Sequence, residues 1–220
     1  MKFFRAETRV IEAAKDMRFL LSRGYTRKNS LSIVSSRYSV TESEKRIIFR
    51  GVYDGATAEE HRRKCLPADS LTGKELGVDW FNVLITVDSG LSGEVVVDSD
   101  DGFLRDIRGL HGEHPTGGRL ERATDIIIRG IEELQPSQVL FLLDANVSKS
   151  GEMASFLREA VDEIGLPVEV RTAKTPDRQV ASREVSISSD SVIIRNSGSS
   201  FDLPRHVLSG LGDVVAYVLR

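Results

Sequence analysis

The run Val139-Leu140-Phe141-Leu142-Leu143 contains no polar side chain. Successive residues of a strand point to opposite faces, so five apolar residues in a row need cover on both sides. The rest of the chain must therefore supply helices for two faces of a sheet. Leu120, Ala123, Ile127, Ile131 and Leu134 precede the run at helical spacing, and Met153, Phe156, Leu157, Ala160, Val161 and Ile164 follow it. Pro167 to Val170 and Val185 to Ser188 read as short strands. Phe81 to Val87 and Gly93 to Val97 read as two more, joined by the turn-rich Asp88 to Ser92, and Leu203 to Leu219 reads as a closing helix. The alternation predicts an α/β domain, a three-layer α/β/α arrangement with a mostly parallel sheet.

The first third of the chain is different. Val10, Ala13, Ala14, Met17, Leu20 and Leu21 give one apolar helix face ending near Gly24, and Arg27 to Ser36 reads as a second helix. Thr41-Glu42-Ser43-Glu44 has the form of a capping box, and Thr57-Ala58-Glu59-Glu60 repeats the pattern. Residues 1–65 carry 15 Lys/Arg against 8 Asp/Glu, and residues 66–220 carry 15 against 25, within a net charge of −3. This predicts a basic helical, helix-turn-helix-like domain over 1–65, a linker over 66–77 and the α/β domain over 78–220. Arg23, Arg27, Lys28, Arg37, Lys45, Arg46 and Arg50 are candidate phosphate contacts to RNA or DNA. Equally, the basic half has an acidic half to dock against.

No apolar run approaches the ~18 residues a membrane span needs, and the one cysteine, Cys65, excludes a cysteine-based zinc site. Met1 to Arg5 runs straight into polar residues, so neither a signal peptide nor a membrane partner is expected and a cytoplasmic location is. The chain does not fix an oligomeric state.

Acidic residues follow the strand-like runs. Asp98, Asp100 and Asp101 come after Val95 to Val97, Asp144 after the apolar run, and Asp190 after Val185 to Ser188. Ligands of open α/β sheets sit beyond the carboxyl ends of strands. Carboxylates meeting there repel one another and coexist most easily around Mg²⁺ or Mn²⁺. Asp144 and Asp190 are the favoured pair of metal ligands, with Asp98, Asp100 and Asp101 competing for a third place. Ser148, Ser150 and Gly151 open a helix whose amides suit a phosphate, and Lys149 adds a positive charge. Asp, Asn and Ser also cap helices and turn chains with no ligand at all. His111 and His114 offer two loop imidazoles without further ligands, and Cys65 lacks a designated base.

At Asp79 to Val87, Asp101 to Asp106, Val139 to Glu152 and Ser188 to Ser191, with Arg23-Gly24-Tyr25, Arg37-Tyr38 and Arg50 to Tyr53, the chain resembles an uncharacterised, mostly archaeal two-domain family. That family joins a helical N-terminal domain to an α/β domain. The strand-Asp endings, above all Ile187 to Ile194, resemble PIN-like nucleases, which bind Mg²⁺ or Mn²⁺ through such acids and cut RNA. The resemblance implies a divalent-metal-dependent ribonuclease with Asp144 and Asp190 as ligands and Asp101 or Asp98 as additions. PIN-like domains place their first acid at the end of the first core strand. Asp79 precedes its strand, Phe81 to Val87, and if the hairpin of residues 81–97 decorates the core, Asp98 or Asp101 takes that role instead. Strand-Asp144-Ala145-Asn146 also resembles a Toprim motif with Asn146 for its second acid. A non-catalytic nucleic-acid-binding or regulatory protein, and an interaction module without nucleic acid, are the alternatives.

Overall fold

The chain begins in a strand that pairs with the strand ending it. In a computed structural model describing residues 1–108, 114–162 and 164–220, β1 (Lys2–Arg5) runs parallel to β9 (Val215–Val218). Between them, in chain order, lie α1 (Thr8–Ser22), α2 (Arg27–Tyr38), α3 (Glu42–Gly51), α4 (Gly55–Lys64), β2 (Glu75–Asp79), α5 (Trp80–Leu91), β3 (Val96–Asp98) and β4 (Leu104–Asp106). There follow α6 (Gly118–Glu133), β5 (Gln138–Asp144), α7 (Ser150–Val161), β6 (Val168–Ala173), α8 (Pro176–Ala181), β7 (Val185–Ile187), α9 (Ser191–Asn196), β8 (Ser200–Phe201) and α10 (Leu203–Ser209). His111, with Gly112 and Glu113, lies outside the described residues.

Two sheets result. The larger has the order β6-β5-β2-β7-β8 with every pairing parallel. The apolar run is its strand β5, and alternate residues enter different cores. Val139, Phe141 and Leu143 join the cluster containing Phe81, Ile127 and Leu157, whereas Leu140 and Leu142 pack with Val180 and Ile193. Helices therefore cover both faces, as the sequence requires. The smaller sheet, β1-β9-β3-β4, is antiparallel only between β3 and β4. Val97 of β3 and Leu219 beyond β9 pack with Val10, Met17, Val34 and Ile48 of the helical N-terminal region.

Three expectations change. Phe81 to Val87 is not a strand but the body of α5, and no hairpin links it to β3. Every residue from Trp80 to Gly90 is buried, because α5 touches strands of both sheets as well as α6 and α10. A helix buried all round loses the amphipathic period, and its β-branched residues imitate a strand. Second, the closing helix stops at Ser209 and Gly210 to Asp213 turn the chain into β9. Third, β2 begins at Glu75, inside the stretch read as a linker.

Local signals elsewhere behaved as their chemistry dictates. The Thr41 hydroxyl accepts from the Glu44 amide at 3.3 Å, and the Glu44 carboxylate accepts from the Thr41 amide at 2.6 Å, which closes the capping box of α3. At α4 the cap is Asp54, which accepts from the Thr57 amide at 2.9 Å, so Thr57 lies inside the helix. Replacing Thr41 with alanine is expected to lower stability by about 1 kcal/mol. Urea denaturation would show this as an earlier midpoint with an unchanged slope.

Candidate functional site

Strand order in the larger sheet reverses at β2, which lies between β5 and β7. Ligands of such sheets bind beyond the carboxyl ends at that point. Asp79 is the last residue of β2 and Asp144 the last of β5. Asp190 follows β7 as the N-cap of α9, and Asp177 follows β6 in the first turn of α8. Four adjacent strands thus each lead into an aspartate. All four line one cavity of about 320 Å³, together with Asn82, Asp106 and Arg50.

The loop after β7 is held from three sides. The Ser188 hydroxyl donates to Asp79 Oδ2 at 2.9 Å and accepts from the Asp190 amide at 3.0 Å. The Ser189 amide and hydroxyl donate to Asn82 Oδ1 at 2.9 and 2.8 Å. Arg105 Nε donates to the Ser189 carbonyl at 2.8 Å. On the other side of β2, Asp144 Oδ1 accepts from the amide and the side-chain nitrogen of Asn146, both at 2.8 Å. Asn146 therefore steadies an acid where a Toprim site would place a second one. Arg50 reaches the cavity wall from α3, donating to the Asp106 carbonyl at 3.0 Å and approaching its carboxylate at 3.3 Å.

Crowding shows in the protonation. Burial pushes the Asp79 carboxyl up to about 7, against the Ser188 hydrogen bond, and the charges of Asp190 and Asp177 push the same way as burial. Asp177 is raised too, by partial burial and then by Asp190 and Asp144. Among the described residues, however, no three His, Cys, Asp or Glu side chains form a group able to hold a metal ion between them.

Asp144 and Asp190 therefore do share a cavity, while Asp79 and Asp177 are additions that the sequence reading missed. The signal for Asp79 was the short strand Glu75–Asp79, hidden once α5 was read as the first strand.

Asp98, Asp100 and Asp101 line no part of this cavity. Asp98 pairs with Arg205 and Arg220. Asp100 receives two hydrogen bonds from Arg18 at 2.7 Å and one from the Tyr53 amide at 3.0 Å. Asp101 is fully buried, bound at 2.6 and 2.7 Å by Arg105 and lying 2.8 Å from His61 Nδ1. Burial alone would raise its carboxyl, but Arg105 and His61 outweigh that and hold it below the ordinary range. Asp100 and Asp101 join the α/β region to α1 and α4 through Arg18 and His61, whereas Asp98 is neutralised by two arginines of the α/β region itself. That is the physical reason to remove Asp98 and Asp101 from the set of candidate ligands.

Several other candidates also sit elsewhere. Ser148 and Lys149 line a separate pocket, and the Ser150 amide donates to the Val147 carbonyl at 3.1 Å. Arg27 is turned inward, donating to the Phe49 and Val52 carbonyls and lying 4.3 Å over the Tyr53 ring. Arg37 pairs with Asp16 and Lys45 with Glu42, while Arg23, Lys28 and Arg46 are exposed. Burial pushes the Cys65 thiol up to about 11, with Asp202 adding to the effect, so no thiolate nucleophile is available at neutral pH.

Fold and site together define an α/β protein with an acid-lined cavity at the carboxyl edge of a parallel sheet, joined to a helical N-terminal region. Two family models match separate stretches of the chain. The chain belongs to the family described as Domain of unknown function (DUF5616), whose model matches residues 68–206. A second model, Protein of unknown function (DUF434), matches residues 9–64. Uncharacterized protein MJ0935 of the archaeon Methanocaldococcus jannaschii is 29% identical over 211 residues, spanning 96% of this chain and 99% of that protein. No solved structure matches the chain. Among the described residues, no helix is long and apolar enough to cross a membrane.

Proposed function

We propose that the protein is a Mg²⁺- or Mn²⁺-dependent phosphodiesterase acting on RNA, with a PIN-like α/β domain. Asp79, Asp144, Asp177 and Asp190 are the carboxylates that would face the cation and the substrate. One observation carries the reading: four adjacent parallel strands deliver four aspartates to one cavity, where burial, with the charges of Asp190 and Asp177 adding to it, raises the Asp79 carboxyl to about 7. Asp79 at the end of β2 also supplies the first-strand acid that a PIN-like site calls for. The donor set is hard oxygen, which fits a hard divalent cation. Mg²⁺ keeps several waters and takes one or two carboxylates plus substrate phosphate, so it does not need a closed protein cage. When bound, such an ion stabilises charge on a phosphoryl group and eases deprotonation of water. The chain's own part is to hold the acids in place through Ser188, Asn82 and Asn146. Asp79, titrating near neutrality, is suited to accept a proton at its carboxylate.

A second reading, a non-catalytic RNA- or DNA-binding protein, draws on the exposed side chains of Arg23, Lys28 and Arg46 and of Tyr25 and Phe49. Incubating end-labelled RNA with Mn²⁺ separates the two. Cleavage that falls about a hundredfold or more in Asp144→Asn and Asp190→Asn supports the phosphodiesterase, by analogy with the losses seen when metal-site partners are removed. Cleavage by both variants at the wild-type rate overturns it, and so does salt-sensitive RNA retention with no Mn²⁺-dependent cleavage.

A further inference from the structure

Beside the acid-lined cavity lies a second pocket of about 290 Å³, lined by Phe81, His114, Leu120, Met153 and Phe156, with Lys149 at its rim. The two cavities share Phe81 as a wall. The segment Asp144 to Lys149 also runs from one to the other, carrying Asp144 at the first and Ser148 and Lys149 at the second. The volume is at the lower end of small-ligand pockets, room for one ring system rather than a chain of them.

Its chemistry is selective. The Phe81 and His114 rings lie 4.9 Å apart with 37° between their planes, and Phe156 is only partly buried. His114 Nδ1 is buried with no hydrogen-bond partner among the described residues. That nitrogen faces protein rather than the open pocket, so the imidazole offers an occupant its ring and not its Nδ1. Burial and Arg108 both lower the imidazole pKa, so a neutral ring is offered. Lys149 is largely exposed, and its ammonium is 3.8 Å from Glu152 in a loose surface pair, leaving it free to meet an anion. The partly buried Phe156 and His114 rings, with the Lys149–Glu152 pair at the mouth, suit a nucleobase whose phosphate meets Lys149.

We propose that this pocket receives an unpaired nucleobase of single-stranded RNA, seated against Phe156 and His114, while the backbone passes Phe81 toward the aspartates. A base inside a duplex cannot enter such a pocket, so the substrate class is single-stranded. The proposal rests on the phosphodiesterase reading for the backbone's destination, but not for the base.

Isothermal titration of the full chain in metal-free buffer tests it, with adenosine 5′-monophosphate and ribose 5-phosphate as probes. The nucleotide should bind at least tenfold more tightly than the sugar phosphate. Phe156→Ala should weaken nucleotide binding at least tenfold. Thr116→Trp, which fills the pocket from an exposed loop position and leaves the core alone, should abolish it. Equal binding of the two probes, no nucleotide binding at millimolar concentration, or wild-type affinity in Thr116→Trp overturns the proposal. Base-dependent binding without any Mn²⁺-dependent cleavage removes the phosphodiesterase reading and leaves the pocket. Cleavage dependent on Asp190 with no preference for the base does the reverse.

Discussion

Arg105→Met should cost about 3–5 kcal/mol of unfolding free energy, the scale expected when one partner of a buried ion pair is removed. Arg105 and Asp101 are both fully buried and meet through two hydrogen bonds at 2.6 and 2.7 Å. Methionine replaces much of the side-chain volume, so the loss measures charge more than packing. Asp101 would keep only His61 and the Phe103 amide at 3.3 Å, too little to compensate a carboxylate with no access to water. The Arg105 guanidinium also lies 4.8 Å over the Tyr53 ring, so the joint between α3 and α4 loosens as well. In wild type, the folded Asp101 carboxyl lies below its unfolded value. Its stabilisation is therefore present above the ordinary carboxylate range and disappears only in stronger acid. Urea titration at pH 7 is the measurement, and a loss under 1 kcal/mol would show that the network contributes little. Arg105 also holds the Ser189 carbonyl, so any cleavage activity should fall further than the folded fraction does.

What the sequence made legible was what neighbouring residues decide. The Thr41–Glu44 box, the helices around Val10 to Leu21 and Leu120 to Leu134, and the two-sided strand β5 each carry their pattern within a dozen residues. Asp144 and Asp190 were legible for the same reason, since both follow strands whose apolar character is plain. Asp98 and Asp101 follow an equally plain apolar run, and of their charged partners only Arg105, four residues after Asp101, is close in the chain. The rest of their surroundings, Arg205 and Arg220 for Asp98 and His61 for Asp101, come from residues distant in the chain. Asp79 failed for a related reason. Its position depends on α5 being a helix, and only the arrival of two sheets around Trp80 to Gly90 makes so apolar a segment helical. Tertiary burial erased the period that would have announced it.

Asp79→Asn should move stability and activity in opposite directions. In metal-free buffer the wild-type carboxyl titrates at about 7 in the folded protein, against about 3.9 when unfolded. Between those values the folded state keeps a proton that the unfolded chain has released, so stability declines as pH rises from about 4 to about 7 and then levels off. Asparagine removes this decline. It can still accept from Ser188 through its amide oxygen, and it no longer repels Asp190 and Asp177. At pH 8 the variant should be more stable than wild type by about 2 kcal/mol, once solvent access to this partly buried group is allowed for. Below pH 4 the two should be nearly equal. Mn²⁺ should raise the melting temperature of wild type and have a smaller effect on the variant, because the cation and the substitution relieve the same repulsion. Cleavage of RNA should meanwhile drop at least a hundredfold, the pattern of a site that trades stability for function. Thermal melts at pH 4 and 8, with and without Mn²⁺, separate the terms. A variant less stable than wild type at pH 8 would mean that the Asp79 charge is welcome where it sits. The crowding on which the phosphodiesterase reading depends would then not exist.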